Sequence, residues 1–178
     1  MDYRNFVNSK NWNHDKTGIP EPYWLSEELF GFQSVIVKWA LRTGRAAIFA
    51  DTGLGKSFME MEWARNVARH TGGKVLIVAP LCVAKQFVHE ANKFHESVKY
   101  IRSPVDIVTS VSVTNYEMID RFNMNNFEGI VLDESSILKH QDSKTRQAII
   151  DSCRNVRYKL SATATLSPND YMEIGGQA

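Results

Sequence analysis

The stretch Ala50-Asp51-Thr52-Gly53-Leu54-Gly55-Lys56-Ser57 decides how the rest of this 178-residue chain is interpreted. A short apolar run at 46–50 leads into it, and a segment with apolar residues at helical spacing follows it. Glycines let backbone amides approach phosphate oxygens closely, and the amino terminus of the following helix adds partial positive charge. The stretch therefore predicts a phosphate-binding loop, or P-loop, between a strand and a helix.

The polar residues of this loop suit a nucleoside triphosphate with Mg²⁺. Lys56 can reach the β- and γ-phosphates as a point charge, and the Ser57 hydroxyl can bind Mg²⁺. The strict P-loop pattern begins with Gly, and this chain departs from it with Ala50, which is also a small residue. The other predicted contacts come from the loop itself, at Thr52, Gly53, Leu54 and Gly55.

A second signal is the segment Gly129-Ile130-Val131-Leu132-Asp133-Glu134, an apolar strand that ends in two acids. Ligands of open α/β sheets bind at the carboxyl ends of the strands, so we expect these acids at the same edge as the P-loop. Asp133 is predicted to hold Mg²⁺, and Glu134 to orient and deprotonate an attacking water. A strand that simply exits into a polar turn is the alternative, and the presence of a P-loop argues against it.

Apolar runs and helical patterns alternate along the chain, which is typical of βαβ units and a parallel sheet. The predicted strands cover 46–50, 75–79, 98–101, 106–115, 129–133 and 157–162. The predicted helices cover 27–30, 33–42, 56–70, 83–94, 116–122 and 143–153, and the apolar stripe of the second is Val35, Ile36, Trp39 and Ala40. We therefore expect an α/β fold, a parallel β-sheet flanked by helices, over 26–178 after a loop-rich lead-in over 1–25.

Charge, hydropathy and cysteine content argue against several other classes of protein. The formal net charge is +1, so any nucleic-acid contact must come from a local patch or from backbone amides. No apolar run approaches the roughly 18 residues that span a bilayer, and no signal-peptide core is present, so no membrane partner is expected. Cys82 and Cys153 lack metal-site spacing and fit reduced thiols of a cytoplasmic protein.

Five further segments resemble the motifs of superfamily 2 helicases of the DEAD/DEAH-box, chromatin-remodeller-like type. Asp133-Glu134-Ser135-Ser136 resembles their D-E-x-x box, and Ser161-Ala162-Thr163 resembles their S-A-T motif. Phe32-Gln33 is similar to the Q motif, Ala79-Pro80-Leu81 to motif Ia, and Val113-Thr114-Asn115-Tyr116-Glu117 to the next strand-end motif. The segment after the S-A-T motif looks most like phage and bacterial members, although Leu166 stands where they often have Pro.

The resemblance implies the first RecA-like domain of such a helicase, a P-loop NTPase domain that binds ATP and Mg²⁺ next to nucleic acid. It implies that Gln33 reads the adenine edge, and that Ser161 and Thr163 couple the ATP state to the grip on nucleic acid. DNA, single- or double-stranded, is the implied partner, with RNA as an alternative, and the location is the cytoplasm (the host cytoplasm if phage-encoded). The nucleic-acid contacts that it implies are Pro80, Leu81, Thr114, Asn115 and Tyr116.

The resemblance also implies a second RecA-like domain, in cis or in trans, that supplies arginine fingers. No motif of that domain follows Ser161-Ala162-Thr163 in this sequence. An arginine finger contributes roughly 10³- to 10⁵-fold in rate where NTPases use one. We therefore expect the 178 residues alone to bind nucleotide far better than they hydrolyse it.

Two other functions stay open on the residues alone. A small P-loop nucleotide kinase has a similar size, but it would need an arginine-rich lid, and no arginine cluster suited to a lid follows Gly129. A non-catalytic module that binds nucleotide or nucleic acid is the other alternative. The intact set of Lys56, Asp133 and Glu134 argues against a decayed site.

Overall fold

A computed structural model describes residues 17–93, 97–135 and 143–164 of the chain. Its helices are α1 (Gly31–Thr43), α2 (Lys56–Thr71), α3 (Leu81–Lys93) and α4 (Ser143–Cys153). Its strands are β1 (Arg45–Phe49), β2 (Val75–Ala79), β3 (Val98–Tyr100), β4 (Val111–Asn115), β5 (Gly129–Asp133) and β6 (Tyr158–Thr163). Short 3-10 segments occupy Pro104–Asp106, Tyr116–Arg121 and Met124–Asn126.

The six strands form one sheet in the order β1-β6-β5-β2-β4-β3, and every neighbouring pair is parallel. The carboxyl ends of the strands therefore lie along one edge. At that edge, Phe49 of β1 pairs with Thr163 of β6, and Ala162 pairs with Asp133 of β5. The predicted α/β fold with a parallel sheet is confirmed.

Strand β2 is apolar throughout because both faces of the sheet are covered at this strand. Val75, Ile77 and Ala79 pack into a core with residues of α1, α2 and α3. Leu76 and Val78 point to the opposite face, into a second core built largely by the 3-10 segments and α4. All five residues are fully buried, so a polar substitution on either face would lie in a core.

The strands predicted over 75–79 and 129–133 and the helix predicted over 143–153 have the observed bounds. The helix predicted over 27–30 is wrong, because this segment is a single turn in which Leu29 N–H donates to Ser26 O at 3.2 Å. The strand predicted from residue 106 begins only at Val111, since Pro104–Asp106 forms a 3-10 turn whose Asp106 carboxylate accepts from Ser103 N–H. The helix predicted over 116–122 is the 3-10 segment Tyr116–Arg121.

Part of the lead-in packs against α1. Ile19 is buried, and its N–H donates to Leu41 O at 2.7 Å. Arg42 donates to Pro20 O and forms an exposed ion pair with Glu21. The division of the chain at residue 26 stays a prediction. Within the described ranges, none of the helices has the length and hydrophobicity that a bilayer span requires.

The buried face of α1 differs from the predicted stripe. The structure buries Gln33, Val37, Ala40 and Leu41, whereas Val35 is 67% and Trp39 51% exposed. The stripe over Val35, Ile36, Trp39 and Ala40 is therefore wrong for two of its members. The difference arises because the buried face includes a polar residue, Gln33, which a prediction from apolar residues alone places on the surface.

Substituting the two valines of α1 tests this orientation. We expect Val37→Ala to lower the free energy of unfolding by about 2 kcal/mol, because it leaves a cavity beside α2 and the sheet. Val35→Ala makes the same chemical change at an exposed position and should alter stability by less than about 0.5 kcal/mol. Urea unfolding of both variants measures the difference, and equal losses would contradict the observed face.

Candidate functional site

The predicted site residues come together at the carboxyl edge of β1, β6 and β5. The P-loop leaves β1, the residues of the S-A-T motif end β6, and Asp133 ends β5. Ala50 N–H donates to Thr163 O at 3.3 Å, so the start of the P-loop is tied to the end of β6. Parallel pairing thus brings segments far apart in the sequence to one edge.

Two glycines give the P-loop its shape. Gly53 and Gly55 have φ of +83° and +74°, values that residues with a Cβ adopt at a cost. Gly55 caps the amino end of α2, so the loop passes directly into the helix. The Lys56 ammonium group donates to Ala50 O at 2.9 Å and to Asp51 O at 3.2 Å. The Lys56 side chain therefore folds back over the same loop that is predicted to bind the phosphates.

Gln33 contacts the P-loop from α1. Its Nε2 donates to Leu54 O at 2.9 Å, and its Oε1 accepts from Phe30 N–H at 2.9 Å. A Cβ added at Gly55 would lie 2.4 Å from Gln33 Nε2, so the glycine also makes room for this side chain. Gln33 is thus buried because it joins the beginning of α1 to the P-loop.

Asp133 is buried at the end of β5. The Tyr116 hydroxyl donates to Asp133 O at 2.8 Å, which fixes the backbone at the point where the strand ends. Burial raises the pKa of Asp133 to about 6, and the charge of Glu134 acts in the same direction. Burial thus favours the protonated form of Asp133, and a bound cation would stabilise its ionised form.

Glu134 has the left-handed backbone conformation, with φ of +49°. Such a conformation costs roughly 1–3 kcal/mol for a residue with a side chain, and it is typical of functional sites. Glu134 Oε1 accepts a hydrogen bond from Thr163 Oγ1 at 2.8 Å. The predicted base and one of the predicted coupling residues are therefore in direct contact. Ser161, the other coupling residue, is half-buried within β6 between Ala47 and Leu132.

The structure adds Glu60, which the sequence analysis did not single out. Glu60 lies in α2, is fully buried, and has its carboxyl group within hydrogen-bonding reach of that of Asp133. Burial, with the charge of Asp133, raises the pKa of Glu60 well above its ordinary value. The sequence does contain a signal for this residue, because Glu60 comes one helical turn after Lys56 and interrupts the otherwise apolar run Phe58-Met59-Glu60-Met61.

Four of the five predicted nucleic-acid contacts have little exposed surface. Leu81 is 48% exposed and Pro80 is half-buried, whereas Thr114, Asn115 and Tyr116 are buried. Thr114 Oγ1 donates to Ile101 O at 2.9 Å, and Asn115 Oδ1 accepts from the Tyr100 hydroxyl at 2.6 Å. Their role in binding nucleic acid stays a prediction, and their described contacts are internal.

The site fits the phosphates of a nucleotide with Mg²⁺. Among the described residues, no group accepts a hydrogen bond from Gly53 N–H or Gly55 N–H, and the first two amides of α2 precede the hydrogen-bonded turns of the helix. The amides of Thr52 and Leu54 differ, because they donate to Asp51 at 2.7 and 3.3 Å. Within the described part of the chain no three His, Cys, Asp or Glu residues are arranged to hold a metal. Mg²⁺ suits such a site because it is usually bound by one or two carboxylates together with phosphates and water.

Neither protein-family models nor curated proteins match the sequence. Solved structures do match the fold. The SWI2/SNF2 ATPase core of Sulfolobus solfataricus in complex with dsDNA has a TM-score of 0.65 at 19% identity, over 82% of this chain and 34% of that chain. The UvsW helicase of bacteriophage T4 has a TM-score of 0.69 at 18% identity, over 99% of this chain and 64% of that chain.

The Pyrococcus furiosus Hef helicase domain is also similar, with a TM-score of 0.64 at 21% identity over 81% of this chain and 34% of that chain. The chain thus spans about a third of the SWI2/SNF2 and Hef chains and 64% of the UvsW chain. These similarities show that the chain has a RecA-like fold, the fold that it shares with these helicase structures. The resemblance that the motifs predicted is confirmed at the level of the fold.

The raised pKa of Asp133 predicts a pH dependence of stability in the metal-free protein. Between its ordinary pKa of 3.8 and about 6, the folded protein holds a proton that the unfolded chain has lost. The free energy of unfolding should therefore fall as the pH rises through this window, by roughly 2–3 kcal/mol. Asp133→Asn cannot ionise there, and it lacks the contribution of Asp133 together with the effect of Asp133 on Glu60. Urea unfolding of both proteins from pH 4 to about 7 measures the difference, and a constant difference would contradict the prediction.

Proposed function

We propose that this chain is the ATP-binding motor domain of a DNA helicase or translocase, in which hydrolysis of Mg–ATP is coupled to nucleic-acid binding. The observation that carries the proposal is the contact at one sheet edge between the predicted base and the S-A-T motif, through Glu134 and Thr163. The P-loop lies beside this contact, since Ala50 N–H donates to Thr163 O. A site that only bound phosphate would need neither the acid nor its link to β6.

Each residue of the proposed site has a chemical task. Lys56 would leave the carbonyl groups of Ala50 and Asp51 and bind phosphate oxygens, with the free amides of the loop beside it. Ser57 and Asp133 would hold Mg²⁺, which when bound neutralises charge on the phosphates. Glu134 would orient a water molecule and accept its proton.

Gln33 is proposed to read the adenine base. Its two described hydrogen bonds leave one amide hydrogen and one lone pair of Oε1, which is the pair that the N6 and N7 edge of adenine requires. Because Gln33 Nε2 also holds Leu54 O, base recognition would act directly on the P-loop. ATP is therefore the proposed nucleotide.

The link between nucleotide and nucleic acid is proposed to pass through Thr163. Its hydroxyl holds Glu134, and β6 ends at Thr163 itself, so a shift of the chain after β6 would release the base. Pro80, Leu81 and the segment 114–116 follow or end strands at the same edge, and these residues are the proposed track for DNA. The buried members of this set would shape the track through the backbone.

Hydrolysis at an appreciable rate is proposed to need a second RecA-like domain, in cis or in trans. The lysine and the acids of the proposed site come from the start of α2 and from the end of β5. An arginine supplied from the opposite side is worth roughly 10³- to 10⁵-fold in other NTPases. A kinase lid or a purely non-catalytic module would leave the contact of Glu134 with Thr163 unexplained.

Removing the P-loop lysine tests nucleotide binding. We expect Lys56→Ala to weaken Mg–ATP binding at least about 100-fold while the protein stays folded, because a charge-assisted contact to two phosphates is lost. The matched control is Lys38→Ala, which removes an exposed lysine of α1. Calorimetric titration with ATP measures both variants. Wild-type affinity in a folded Lys56→Ala protein would refute the P-loop assignment.

Replacing the proposed base separates binding from turnover. We expect Glu134→Gln to keep ATP affinity within about threefold and to lower phosphate release by at least about 100-fold, since an amide keeps the shape but cannot take the proton. Phosphate release is measured with and without DNA, and with a nucleoside monophosphate as an alternative acceptor. Conversion of the monophosphate to a diphosphate, in place of phosphate release stimulated by DNA, would favour a kinase. Unchanged turnover would show that Glu134 is not the base.

A further inference from the structure

Helix α2 contains two buried glutamates that differ in how their charge is compensated. Glu62 forms an ion pair with Arg65, and one of its carboxylate oxygens accepts from Ser26 N–H at 3.0 Å. Glu60 is also fully buried, yet neither of its carboxyl oxygens accepts a hydrogen bond from any described donor. The group that Glu60 meets is another acid, Asp133.

The position of Glu60 follows from the helix. Glu60 comes four residues after Lys56 and three after Ser57, so it lies one turn behind both on the same face of α2. Helix α2 packs against β5, whose last residue is Asp133, and Glu60 lies within hydrogen-bonding reach of the Asp133 carboxyl group. Glu60 therefore stands behind the residues proposed to hold Mg²⁺ and not on a separate surface.

A buried carboxylate without donors costs several kcal/mol, so a cation has to offset it when it is ionised. The charge of Lys56 acts on Glu60, but its ammonium group donates to Ala50 O and Asp51 O. With nucleotide bound, Lys56 would contact phosphates instead and would offset even less of the charge on Glu60. When Glu60 is ionised, a divalent ion beside Asp133 would supply the compensating charge.

We propose that Glu60 is a positioning residue of the Mg²⁺ site, an outer acid beside Asp133 that accepts hydrogen bonds from the hydration shell of the ion. This inference rests on the proposed function in that it assumes a divalent ion at Asp133. It deepens the proposed function by adding a negative charge from α2 to the one from β5. Outer partners of this kind typically change metal affinity by about 10- to 100-fold when removed.

An indirect role agrees with the arrangement of the acids. Within the described part of the chain no three of the acids, histidines or cysteines converge as direct ligands of a metal ion. Mg²⁺ binds few carboxylates directly and keeps several waters, so an acid one layer away has hydrogen-bond donors to accept from. Glu60 gains in the metal-bound state the donors that it lacks among the described residues.

Mn²⁺ binding to Glu60→Gln tests the inference. Mn²⁺ is titrated by electron paramagnetic resonance into the whole 178-residue chain, alone and with ADP. We expect Glu60→Gln to bind Mn²⁺ about 10- to 100-fold more weakly than the wild type, with ADP affinity in EDTA unchanged. Its metal-free melting temperature should be at least that of the wild type, while the rise in melting temperature on adding Mg²⁺ should be largely lost.

Glu62→Gln is the matched control, since it neutralises the other buried glutamate of the same helix. It should lower the melting temperature through the loss of its partners and leave Mn²⁺ affinity within about twofold of the wild type. Glu60→Met, similar in size and apolar, is the second variant and should lose Mn²⁺ affinity as Glu60→Gln does. If the amide of Glu60→Gln disturbs folding, Glu60→Met still decides whether Mn²⁺ affinity depends on the carboxylate.

Equal Mn²⁺ affinity in the wild type and a folded Glu60 variant overturns the inference. So does an equal loss of ADP affinity in EDTA, which would show that Glu60 shapes the loop rather than the metal site. If the wild type binds Mn²⁺ through Glu60 but binds no nucleotide, the proposed function fails while the inference stands. If nucleotide binds and metal affinity ignores Glu60, the inference fails alone.

Discussion

The parallel pairing of β1, β6 and β5 is the constraint on which the site depends. It places the last residues of three strands side by side, so that Phe49 is opposite Thr163 and Ala162 is opposite Asp133. The loop that leaves β1 then starts next to the hydroxyl that holds Glu134. Without this order of strands the P-loop, the two acids and the end of β6 would be separate features of the chain.

Negative charge at this edge is concentrated in a space that offers few donors. Glu60 lies against Asp133, Glu134 follows Asp133 in the chain, and the charge of Lys56 acts on both Glu60 and Asp133. The raised pKa values of Glu60 and Asp133 express this imbalance, because burial and neighbouring charge both favour the protonated acids. A divalent ion with its bound phosphates would supply the missing positive charge and the missing donors together.

Much of the fold could be predicted from the sequence, because buried parallel strands leave a strong local signal. The runs at 75–79 and 129–133 are apolar on both faces, which fixes their bounds, and Gly53 and Gly55 mark the turn before α2. The buried face of α1 could not be predicted in the same way. Gln33 is buried by a hydrogen bond to Leu54, a partner 21 residues away that no periodicity reveals.

Two features of the site also depended on tertiary contacts. Glu60 stands among apolar residues of α2, and only the packing of that helix on β5 shows that it meets Asp133. The link between Glu134 and Thr163 follows from β5 and β6 being neighbours, which the order of the strands along the chain does not state. Turn chemistry explains the late start of β4, since Pro104 and Asp106 form a turn at the beginning of the segment predicted as a strand.

The hydrogen bonds of Lys56 have a consequence for the kinetics of nucleotide entry. The ammonium group closes the P-loop on itself, bonding the carbonyl groups of Ala50 and Asp51 across the turn. A nucleotide that arrives would meet a loop already in its working shape and would exchange one set of partners of the lysine for another. Little conformational entropy is then lost on binding, so association should be limited by encounter rather than by ordering of the loop.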